Sequence, residues 1–100
     1  MNPWKLKTIN DALEYCQEAV RRYDVEMKPK EKEDLASELL GFSSGDYFSE
    51  WRKNYPVVDE IQALSADLSW SNAIDIDDDW EKLINYIEEL ERQVKSAVQN

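Results

Sequence analysis

The side chains that could do chemistry here are carboxylates and one thiol. The chain carries 22 Asp and Glu, a single Cys and no His. Its densest acidic run, Asp75-Ile76-Asp77-Asp78-Asp79, puts acids at the first, third and fifth places of a calcium-binding loop. Such a loop also needs Gly at the sixth place for its sharp turn and Glu at the twelfth as a bidentate ligand. Those places hold Trp80 and Tyr86, so the run reads as a helix start with surface charge, and no metal is expected. Cys16 would need a lowered pKa and a base to act as a nucleophile, and there is no His to serve. It lies between Leu13 and Val20 on an apolar stripe, where a free Cys behaves as a small hydrophobe. Glu88/Glu89 and Asp59/Glu60 could do acid–base work on paper, but adjacent residues of a helix do not share a face. Two Gly in the whole chain leave no material for a phosphate-cradling loop. A small enzyme using carboxylates is therefore the weakest functional reading, and no cofactor is expected.

The charge is more informative than the chemistry. Twelve basic side chains against 22 acidic give a net −10. Residues 1–53 hold 9 basic and 11 acidic groups, net −2, while residues 54–100 hold 3 and 11, net −8. No Lys or Arg occurs between Asn54 and Glu81, where Asp59, Glu60, Asp67, Asp75, Asp77, Asp78, Asp79 and Glu81 lie. Phosphate neutralisation dominates nucleic-acid affinity, so the sign of the charge disfavours direct nucleic-acid binding, and anionic membrane surfaces likewise. One Cys cannot close an internal disulfide, so no oxidising compartment is needed. Met1–Thr8 has no apolar signal core, and no run approaches the ~20 apolar residues of a membrane span. A cytoplasmic protein is expected.

The elements that must position these groups are helices. Only five residues are Gly or Pro, which favours helix over a turn-rich β fold. The strongest pattern is C-terminal: Trp80, Leu83, Ile87, Leu90, Val94 and Ala97 recur three and four apart, with Ile84 and Val98 widening the stripe. Asp77, Asp78 or Asp79 can cap its start, and Asp78/Lys82, Glu88/Arg92 and Glu91/Lys95 stand acid-first at four-residue spacing. Leu6, Ile9, Leu13, Cys16, Val20, Tyr23 and Met27 form a matching stripe near the N-terminus. Asn2-Pro3, or Thr8 with Asp11 as a capping box, starts this helix at residue 3 or 9, and Lys28 before Pro29 stops it near 27. A second helix is expected over 29–40, with Leu35, Ala36, Leu39 and Leu40 inward, Gly41 left-handed after it and Phe42 folding back. A third, capped by Ser43, covers 44–54 with Tyr47, Phe48, Trp51 and Tyr55 inward. A fourth covers 56–69 with Val57, Val58, Ile61, Leu64 and Leu68. Residues 73–76 form a loop pinned by Ile74 and Ile76.

The predicted architecture is all-α: a single domain over residues 1–100, a bundle of about five helices whose long first and last members lie side by side. Leu13, Val20, Leu39, Trp51, Leu64, Trp80, Leu83, Ile87 and Leu90 are expected in its core. Trp70 stands at a helix end beside Ser69, Ser71 and Asn72, which leaves its burial open. In size, charge and helicity the chain is similar to small acidic helical inhibitors such as the nuclease immunity proteins of bacteria. That similarity is one of composition, and it carries no residue across. The functional expectation is a non-catalytic interaction module, an inhibitor or regulatory adaptor, that binds a basic protein surface. Its candidate partner-binding residues are Asp59, Glu60, Asp67, Trp70, Asp75, Asp77, Asp78 and Asp79. The alternative is a self-associating helical domain, a homodimer seamed by the first and last helices, since sustained apolar repeats with flanking charges also suit a coiled coil.

Overall fold

Thr8 opens the first helix as its spacing from Asp11 predicts. Its hydroxyl accepts from the Asp11 N–H at 3.1 Å, and the Asp11 carboxylate accepts from the N–H groups of Thr8 and Lys7, both at 3.1 Å. The computed structural model describes residues 6–70 and 75–99. Five α-helices follow in order: α1 (Ile9–Arg22), α2 (Pro29–Leu40), α3 (Phe48–Asn54), α4 (Val57–Ser69) and α5 (Ile76–Gln99). There is no strand among the described residues. The Asn2-Pro3 start, Ile74 and the Val98 side chain lie outside what is described.

Helices α1, α2, α4 and α5 form a closed ring: α1 packs on α2, α2 on α4, α4 on α5, and α5 back on α1. The first and last helices are neighbours, as expected. They run antiparallel, since Gln17 bonds Glu91 while Tyr23, just past the end of α1, reaches back to Asp77. The widest packing is made by α4, which sits between α2 and α5. One hydrophobic cluster fills the ring, and Leu13, Leu39, Trp51, Trp80, Leu83, Ile87, Leu90 and the fully enclosed Cys16 all belong to it. Val20 and Leu64 are only half-buried; each stands at the margin of its helix's inward stripe. The long axis measures 41 Å. The 24 residues of α5 at ~1.5 Å per residue account for most of it.

Several boundaries differ from expectation, each for a local reason. Helix α1 stops at Arg22, not near 27. Tyr23 turns extended at ψ 136°, and the Asp24 carboxylate accepts from the Glu26 N–H at 2.9 Å. That short-range bond gives the backbone an alternative to the helix ladder. The apolar rhythm runs on through the turn because Tyr23 and Met27 still pack inward, Tyr23 stacking on Trp80 at 4.7 Å. Gly41 is right-handed (φ −55°, ψ −24°) and continues into a 3₁₀ turn, Gly41–Ser44, which seats Phe42 in the core. Ser43 donates to the Leu40 carbonyl at 2.8 Å and caps nothing, so α3 begins only at Phe48 and Tyr47 is exposed. Ile76 belongs to α5. The cap of α5 is Asp75, whose carboxylate accepts from the Asp78 N–H at 3.2 Å. On the outer face of α5, Glu91/Lys95 pairs at 3.0 Å as spaced, whereas Lys82 and Arg92 reach back three residues to Asp79 and Glu89.

Candidate functional site

The eight candidate residues fall into three groups by what they contact. Glu60, Asp67 and Trp70 share the outer face of α4, the side away from Val58, Ile61 and Leu68. With Ala63 they recur at spacings of three, four and three, so they form one stripe. All four are exposed, Trp70 to 74%. Neither Glu60 nor Asp67 has an ion-pair partner among the described residues. Of the large apolar side chains left exposed among the described residues, Trp70 is the most exposed, ahead of Val25 and Tyr47.

The second group is engaged in holding the fold. Asp59 pairs with Arg52 of α3 at 2.6 Å. Asp77 accepts from the Lys32 ammonium at 2.8 Å and from the Tyr23 hydroxyl at 2.5 Å. These two donors, Lys32 first, hold the Asp77 carboxyl below the usual carboxylate range. Asp77 is half-exposed, but the Lys32 side chain is 8% exposed, and its ammonium also donates to the Val25 carbonyl at 2.9 Å. This cluster ties α2, the α1–α2 turn and the first turn of α5 together. Asp59 and Asp77 are thus matched by cations from earlier elements, and the eight acids between 54 and 81 are not all uncompensated.

The third group is Asp75, Asp78 and Asp79 at the start of α5. Asp75 is the cap. A side-chain hydrogen bond with Asp75, and after it the repulsion of that like charge, raises the Asp78 carboxyl above the ordinary value. Asp79 turns partly inward with Lys82 at 3.9 Å. No three carboxylates among the described residues converge as metal ligands.

Lys32 is the residue that sequence reasoning missed. It stands three before Leu35 and four before Ala36, on the buried side of α2, and that position was its signal. A charged residue on an apolar stripe needs a partner. The partner, Asp77, lies 45 positions away and could not be chosen by spacing. Ser65 was missed likewise; it is fully buried on α4 and donates to the Ile61 carbonyl at 2.7 Å.

The concave surfaces are shallow. One, of about 540 Å³, lies between the end of α3 and the last turns of α5, at Asn54, Tyr55, Glu89, Arg92 and Gln93. Its Arg92 and Glu89 pair with each other. A second, about 300 Å³, runs between α1 and α5. The Cys16 thiol is pushed up in pKa by burial, which opposes thiolate formation. No helix among the described residues is long and apolar enough to cross a membrane. No family model, curated protein or solved structure matches this chain.

Proposed function

We propose that this chain is a non-catalytic interaction module that binds a basic protein surface in the cytoplasm through the outer stripe of α4. The observation that carries this reading is Trp70, exposed in line with Glu60 and Asp67. Trp is a favoured hot-spot residue because its large face excludes water around neighbouring polar contacts. An Arg or Lys on the partner gains from both parts of the stripe. Its charge is attracted by Glu60 and Asp67, and its stem or guanidinium can lie on the indole face. Ala63 between the acids keeps the stripe low, so a partner backbone can approach. The acidic field of residues 54–81 adds to encounter rate and discourages nucleic acid. The enclosed thiol of Cys16 suits a reducing compartment.

The test is capture of partners from a cell extract at low and high salt, with wild type beside E60Q/D67N and W70A. The reading expects a specific partner that weakens with salt and is lost from both variants. Partners that persist unchanged in both variants would remove the stripe from consideration. Asp59, Asp75 and Asp77 are left intact in this experiment, because each has a structural bond whose loss would confuse the result.

A further inference from the structure

The groove between α1 and α5 carries an unmet charge pattern on an apolar floor. Ile87 forms the floor, and the half-buried Val20 and Ile84 form its sides. Arg21 stands exposed on the α1 wall and Glu88 exposed on the α5 wall. They border one groove, yet neither has an ion-pair partner among the described residues. The Gln17–Glu91 bond closes one end. Val20 and Ile84, both on apolar stripes, are left partly in water here.

We propose that this groove is the contact face for a second copy of this chain. Because Arg21 and Glu88 line the same groove on opposite walls, a two-fold axis running along it lays each α1 over the partner's α5. That places each Arg21 opposite Glu88 of the other copy, twice, and turns the four aliphatic side walls toward each other. The contact is isologous, as closed dimers are. It is also small. A 14-residue helix is ~21 Å long and two neighbouring helices are ~20 Å wide, so the footprint is on the order of 400 Å² per copy. That lies below the ~800 Å² per partner of standard interfaces, so the dimer is weak. The net −10 of each copy opposes association at long range. At physiological salt that repulsion is screened beyond about 8 Å, while the facing pairs are closer. The face uses none of the α4 stripe and does not rest on its reading.

The experiment is sedimentation equilibrium of the full chain as a concentration series, on wild type, R21E, E88R and an equimolar mixture of the two variants. Like charges across a contact are strongly unfavourable, so each variant alone should dimerise at least about tenfold more weakly than wild type. The mixture should recover the wild-type affinity, because the R21E copy and the E88R copy oppose unlike charges at both pairs. Circular dichroism of each variant checks that these exposed changes leave the fold intact. A wild type that stays monomeric up to about 1 mM overturns the proposal. So does a single variant that dimerises as wild type does, or a mixture no tighter than its parts.

Discussion

At the residue scale the Lys32–Asp77 pair sets the sharpest expectations. Its ammonium is nearly enclosed while its carboxylate is half in water, so the two partners are not equivalent. Removing the acid strands a buried charge; removing the base leaves a carboxylate that water can solvate. D77N should therefore lower the melting temperature by more than K32M does, and K32M should lie within about 1 kcal/mol of wild type in urea unfolding, since an apolar side chain of similar size fills its place. The pH dependence follows from the direction of the Asp77 shift. A carboxyl depressed in the folded state stabilises above its unfolded pKa, near 3.9, and loses that contribution as pH falls through the lower folded value. The gap in melting temperature between wild type and D77N should thus be open at neutral pH and close on acidification below about pH 4. A gap that holds constant across that range would mean the Asp77 charge does not stabilise the fold. Thr8 gives a smaller, independent expectation. Replacing its cap hydroxyl should cost T8A about 1 kcal/mol in the same urea measurement.

At the element scale α5 is the helix on which two neighbours depend, because α1 and α4 both pack against it. Ile87 faces inward at 3% exposure. An unpaired charge there should cost about 4 kcal/mol or more, so I87D should unfold or melt far below wild type. A wild-type melting curve for I87D would show that the inward face of α5 is misplaced. The end of α1 is open to a different measurement. A helix running to 27 would bond the Val25 N–H to the Arg21 carbonyl, whereas the observed turn leaves Val25 exposed. Its amide should exchange with solvent much faster than those of Cys16 or Ala19. The α1 boundary shows why periodicity misleads at element ends. Tyr23 and Met27 keep the apolar rhythm because both still touch the core, and contact with the core does not require the backbone between them to be helical.

At the scale of the whole molecule, charge and topology separate. A chain of net −10 repels itself when compact, and exposed ion pairs such as Lys30–Asp34 contribute little in return. Its melting temperature should rise as salt is added, which a fold held mainly by surface pairs would not do. The sequence by itself determined the helical class, most of the inward faces of α2, α4 and α5, the Thr8 cap and the acidic bias of the second half. Each of these is a matter of residues within a few positions of one another, where helical geometry fixes who is neighbour to whom. The tertiary structure alone decided which acids are spare. Arg52 takes Asp59 from a neighbouring helix, and Lys32 takes Asp77 from across the bundle. The same packing left Glu60, Asp67 and Trp70 outward and placed Arg21 and Glu88 on facing walls of one groove. Coulombic pairing depends on distance in space, and distance in sequence carries no record of how α1, α2, α4 and α5 close into a ring.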